Sequence, residues 1–256
     1  MIILMVSRNA QILVLTLSMV ILAGCHSADS PEPQTPKYDP ATATARVFGS
    51  VKFEGTPPEP MPIRAGGSAY CVRNGHGIVD ETVSLTEDNK LRNVVVFVRS
   101  GQEGRQYSAP SEAADLDQQK CVYIPHVVTV MTNQKLRVKN SDPTFHNVHG
   151  MSQSNPSFNF AQSDKGTENV LTFSHPEMPF RVGCDLHRWM GALVAVFDHP
   201  FHTTTGTSGT YELRLPPGKY EIAAWHEKYG EKRMSIELSG NDTTELSFTF
   251  SEHDHS

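Results

Sequence analysis

Beyond residue 45 apolar side chains recur at every second position in short runs, or fill β-branched runs, and turn residues separate one run from the next. The runs are Arg46–Phe53, Asn93–Arg99, Val122–Val130, Gln134–Lys139, Asn169–Phe173, Ala192–Phe197, Tyr211–Leu215, Tyr220–Trp225, Met234–Leu238 and Thr244–Phe250. A period of two over four to nine residues predicts strands. No helical periodicity extends beyond about ten residues. The expected fold class is therefore all-β, built as a sandwich. Two stretches interrupt the pattern and read as boundary loops: polar Gly101–Lys120, and His199–Gly209 with its Pro, Gly and run of Thr. They leave a middle segment flanked by two others, with no repeat at solenoid period.

The N-terminus follows another pattern. Ile12–Leu22 is apolar, has the length of a signal-peptide core, and is preceded by a single charged residue, Arg8. It ends in Leu22-Ala23-Gly24-Cys25, which resembles the lipobox of bacterial lipoproteins. That resemblance implies that residues 1–24 are removed, that Cys25 is lipidated, and that the chain faces the periplasm on a membrane anchor. His26 stands where such proteins carry Asp when retained at the inner membrane, so the outer membrane is expected. Residues 25–44, rich in Pro and without apolar periodicity, read as an extended tether.

Composition changes the picture in two ways. With 256 residues, 22 basic and 28 acidic side chains and a net charge of −6, the chain can bury one large or two modest cores. Its scattered Lys and Arg offer no basic face, which excludes a nucleic-acid partner. Four Cys are too few to staple a miniprotein, so each needs its own explanation.

The candidate chemistry is concentrated in Cys184-Asp185-Leu186-His187-Arg188-Trp189-Met190 and, upstream, Phe145-His146-Asn147-Val148-His149. A thiolate, an imidazole and a thioether within seven residues can converge on one metal from a tight loop between strands, and a second imidazole on a neighbouring strand completes the set. Two His and one Cys with a weak axial Met is the blue-copper arrangement, in which soft sulfur suits Cu(I) and imidazole suits both oxidation states. These motifs resemble the cupredoxins, above all the amicyanin-like members, with Cys-x-x-His-x-x-Met and a His-Asn-Val-His segment; Gln134–Asn140 and Ser141-Asp142 resemble the strand and turn before the first ligand. The resemblance implies one type 1 copper, with His146, Cys184 and His187 as equatorial ligands and Met190 axial. Asn147 would then hydrogen-bond near the thiolate and tie the two loops together. Alternation separately sets His146 and Val148 on one face and Asn147 and His149 on the other, making His149 the weaker ligand candidate.

With Cys25 lipidated and Cys184 on the metal, Cys71 and Cys121 remain, and an exported chain commonly joins such a pair. His76, His126, His199, His202 and His226 read as loop or surface residues, and the tail Glu252–His255 as frayed.

The C-terminal Gly209-Thr210-Tyr211-Glu212-Leu213 and Leu215-Pro216-Pro217-Gly218-Lys219-Tyr220 resemble a carboxypeptidase regulatory-like sandwich module. The expected domains are a copper domain at 45–198 with its core at 121–198, and this smaller module at 199–252. The module is short, and strands from 46–99 are candidates to complete it, since Gly49-x-Val51 and Gly55-Thr56-Pro57 resemble that family's first strand; the copper domain would then be inserted. No peptidase or nucleophile motif accompanies the module.

The function these readings imply is a lipid-anchored carrier of single electrons between transient redox-protein partners. Electrons would enter at a partly exposed edge of His187 within an apolar patch of Phe145, Met151, Pro179 and Trp189. No enzyme activity and no small-molecule substrate are expected, since copper oxidases need further centres and the sequence offers ligands for one. The alternatives are copper trafficking or resistance on the same ligands, and a metal-free β-sandwich scaffold.

Overall fold

The computed structural model describes residues 35–255, so the signal peptide, Cys25 and the tether up to residue 34 lie outside the described residues. Seventeen strands are described: β1 (Ala45–Glu54), β2 (Val95–Ser100), β3 (Ala114–Gln119), β4 (Val122–Ile124), β5 (Val127–Met131), β6 (Leu136–Asn140), β7 (His146–Gly150), β8 (Phe158–Gln162), β9 (Glu168–Leu171), β10 (Glu177–Gly183), β11 (Gly191–Phe197), β12 (His202–Thr204), β13 (Thr210–Leu215), β14 (Gly218–His226), β15 (Gly230–Leu238), β16 (Thr243–Glu245) and β17 (Phe248–Ser251). A 3-10 turn covers Pro40–Thr42, and the one short α-helix among the described residues, α1 (Ala69–Asn74), begins at Ser68, whose hydroxyl accepts the Cys71 N–H. Among the described residues no helix is long and apolar enough to cross a membrane.

The strands form two sandwiches. In the middle one, sheet β5-β11-β10-β7-β8 faces sheet β4-β3-β6-β9 over Leu116, Val130, Leu136, Val138, Val148, Phe173, Val182, Val194 and Val196. In the other, β13-β1-β16, with β17 also on β1, faces β12-β2-β14-β15 over Val47, Val51, Phe53, Val96, Val98, Leu213, Leu215, Ile222, Phe248 and Phe250. Residues 45–54 and 95–100 thus share sheets with 202–251, and the middle sandwich lies between them in sequence. A boundary drawn at 45–198 groups with the middle sandwich two strands that pair elsewhere.

A third apolar layer, Val95, Phe97, Val127, Ala195, Phe197 and Ala223, joins the two bodies. It explains why 94–98 and 192–197 read as nearly unbroken apolar runs: β2 and β11 are covered on both faces, and alternate residues serve different cores. Each large side chain buried there contributes roughly 1.5–3 kcal/mol.

Several expectations change. Gly101–Lys120 is not only loop, because β3 lies inside it, parallel to β6, with Leu116 fully buried. Its outward Asp115 disguises the strand, being neutralised by Arg137 and Lys139 at 2.7 and 2.8 Å. His199–Gly209 holds β12, paired with β2, and buried Phe201 and Thr205. Val122–Val130 is two strands, since Pro125 lacks the N–H a ladder needs. Within the expected tether Tyr38 packs on the folded body: its N–H donates to Gln106 O at 2.8 Å, and its ring packs on Phe201 and Tyr107. His199 and His226 are buried, not surface residues.

Candidate metal centre

The short hairpin turn between β10 and β11 builds one half of the site. Gly183 pairs with Gly191, and between them the His187 N–H donates to Cys184 O at 3.3 Å and the Met190 N–H to His187 O at 2.8 Å. This tight turn brings Cys184 and His187 to one point and buries Met190 in the same core cluster as Cys184. The other half is β7, where the period of two buries His146 and Val148 and turns Asn147 and His149 outward.

His146 Nδ1 lies 3.0 Å from His187 Nδ1, and Cys184 Sγ lies 3.5 Å from His187 Nδ1. Ligand atoms of His146, Cys184 and His187 all fall within 4.8 Å of one another, and all three side chains are buried. Burial works against a charged thiol, but hydrogen bonds from His146 and His187 and the Asn147 N–H outweigh it and hold Cys184 down at about 5. Burial likewise opposes a charged His146, while Asp142 and Cys184 raise its pKa. A buried thiolate wedged between two imidazoles is a donor set that fits a soft, imidazole-tolerant cation such as copper.

Asn147 links β7 to the turn that carries Cys184. Its backbone N–H points to Cys184 Sγ at 3.5 Å, its carboxamide oxygen accepts the Asp185 N–H at 2.6 Å, and its NH₂ donates to Asp185 Oδ2 at 2.8 Å. His149 turns away to meet Asp185 at 2.9 Å. Cys71 and Cys121 form a disulfide.

Asp142 escaped the sequence reading as a functional residue. Its buried carboxylate meets His146 Nε2 at 3.1 Å, which leaves Nδ1 to face Cys184 and His187. It also accepts the N–H groups of Lys120 and Cys121 at 2.7 and 2.8 Å and the Tyr70 hydroxyl at 3.0 Å. Lys120 and Cys121 turn through the left-handed region, φ 53° and 63°, and these two bonds hold that turn. A four-residue spacing across a loop carries no periodic signal, so only the fold reveals Asp142. Cys121, Asp142 and His146 also lie close together, but the Cys121 sulfur is committed to the disulfide.

His187 departs from expectation. It is 2% exposed, not edge-exposed. Its Nε2 faces Cys71 Sγ at 3.6 Å, and a Cβ on Gly67 would stand 3.0 Å from its Cδ2. Residues 67–71 therefore cap the imidazole. Of the expected patch, Phe145 and Met151 are exposed while Pro179 and Trp189 are half-buried.

No protein-family model matches the chain, and no curated protein matches it. Solved structures similar to it include the Cu-containing nitrite reductase from Thermus scotoductus, at 15% identity and TM-score 0.32 over 35% of this chain and 23% of that one. The purple cupredoxin from Nitrosopumilus maritimus is similar at 18% identity and TM-score 0.29, over 32% of this chain and 98% of that one. Amicyanin from Paracoccus versutus is similar at 19% identity and TM-score 0.30, over 40% and 96%. The chain spans about a quarter of the nitrite reductase.

Proposed function

We propose that this protein is a type 1 copper carrier of single electrons, anchored outside the cytoplasm by a lipid on Cys25. The observation that supports the reading most is the buried convergence of Cys184 Sγ with the Nδ1 atoms of His146 and His187, the thiol held at about 5. Copper bound there supplies one-electron exchange between two oxidation states. The chain's own part is to hold the donors still: Cys184 and His187 on one tight turn, His146 on β7 with Asp142 behind it, and Asn147 linking strand and turn. Met190, buried in the same core cluster as Cys184, would be the weak fourth ligand that tunes the affinity for the two oxidation states. The partners are redox proteins met transiently, and the sandwich of 45–54, 95–100 and 202–251 resembles a carboxypeptidase regulatory-like module and serves as scaffold.

The test is visible absorption and EPR of the Cys25→Ser protein on Cu(II) addition. The reading expects an intense thiolate-to-copper band with a narrow copper hyperfine pattern. A colourless protein whose Cys184 thiol still reacts with alkylating reagent overturns it. Loss of the protein from the membrane fraction on Cys25→Ser tests the anchor. Burial of His187 favours a second reading, copper held for trafficking or resistance without electron exchange. A coloured protein inert toward every one-electron reagent would establish that reading.

A further inference from the structure

The capped imidazole raises a question of access, because tunnelling rates fall steeply with distance and with gaps in packing, and a partner cannot touch His187. Gly67 and Cys71 close its Nε2 edge, and the Cys71–Cys121 disulfide and the Tyr70–Asp142 bond hold that cap down. One neighbouring side chain leads outward. The Trp189 ring lies 5.1 Å from the His187 ring, centroid to centroid, and its Nε1–H donates to Cys121 O at 2.9 Å, which fixes its orientation. Trp189 also lines an open cleft of about 310 Å³ of mixed charge, in which Arg181 and Arg188 stand with the carboxylates of Asp80, Glu81 and Glu227 beside the apolar Val79. The indole therefore spans from the buried ligand to solvent.

We propose that Trp189 is the relay through which electrons cross between His187 and a redox partner, which approaches over this cleft and not over the Phe145 and Leu186 side. The inference rests on the copper reading and deepens it. Each crossing moves one electron: with hexacyanoferrate(III) as probe, the reduced site loses one electron, the probe becomes hexacyanoferrate(II), and no bond or proton changes hands.

The experiment is stopped-flow oxidation of the reduced, copper-loaded protein by hexacyanoferrate(III), with absorption, EPR and potential recorded alongside. Trp189→Leu should keep band, hyperfine pattern and potential while the second-order rate falls about tenfold or more. Val79→Glu places bulk and negative charge at the cleft and should slow the anionic probe several-fold more than Leu186→Glu, an equal change of net charge at an exposed residue that does not line it. In Trp225→Phe, where Trp189 is the remaining Trp, Cu(II) loading should quench the emission and chelation should restore it. A Trp189→Leu rate within twofold of wild type with an intact band overturns the relay. So does Leu186→Glu slowing the probe as much as Val79→Glu, a readout that survives even if Trp189→Leu fails to fold. Absence of the band in the wild-type protein overturns the copper reading itself, which separates the two failures.

Discussion

The two sandwiches solve the same folding problem with different interiors. The flanking one is filled with Val, Leu, Ile, Phe and Tyr, and its buried polar side chains are few, chiefly Thr205, which bonds Leu91 O and the Val94 N–H, and His226, which accepts the Lys228 and Tyr229 N–H groups. The middle one encloses Gln118, Asn140, Asp142, His146, Gln162 and His187. Burying polar groups costs free energy unless each is bonded, so a network of this size is a liability for a scaffold. Here most of it is bonded: Gln118 donates to Gln162, Asn140 to Gln162 O and Thr144 O, and Asp142 gathers three donors besides His146, while Gln118 Oε1 finds no partner among the described residues. The two interiors thus differ in kind: the flanking one is almost wholly apolar, and the middle one sets three candidate donor atoms in a largely bonded polar cluster.

The sharpest way to break the contrast is Cys184→Ser, which should abolish the visible copper band entirely while leaving the far-UV β signature; a coloured variant would remove Cys184 from the site. Ile222→Ala, in the flanking core, should do the reverse, costing about 2–5 kcal/mol in urea unfolding and leaving the band position unchanged. Acid should also act first on the flanking body. Burial holds His226 neutral, its pKa pushed down to about 4 from 6.5, so the folded state resists a proton that the unfolded chain accepts. Its share of stability is whole above about pH 6.5 and is lost as the pH falls toward about 4, roughly 1.4 kcal/mol per unit; urea midpoints at pH 7 and 4.5 measure this, and His226→Gln should shrink the difference. Asp142→Asn should weaken copper about 10–100-fold in a chelator competition, because His146 loses its ionised partner. His149→Ala should change copper affinity least, and a large loss would exchange the roles of His146 and His149.

Much of this was legible in the chain because it depends on near neighbours. Alternation over His146–Gly150 separates the inward histidine from the outward one, and Cys184-x-x-His187-x-x-Met190 is a turn-sized spacing that fits between two strands. The all-β class follows from runs of period two. The strand β3 escaped because its outward face is acidic and its neutralising partners, Arg137 and Lys139, lie on another strand. The buried His199 and His226 escaped because local polarity says nothing of what packs above a residue.

By itself, then, the sequence determined the strand-rich class, the donor types and which histidine of β7 points inward, since each depends on backbone geometry over a few residues. Only the tertiary structure decided that Asp142 backs His146, that β1 and β2 pair across the middle sandwich with the C-terminal strands, and that His187 is capped. Cys71 and His187 are 116 residues apart, and contact across such a separation is set by how sheets stack, which no local pattern encodes.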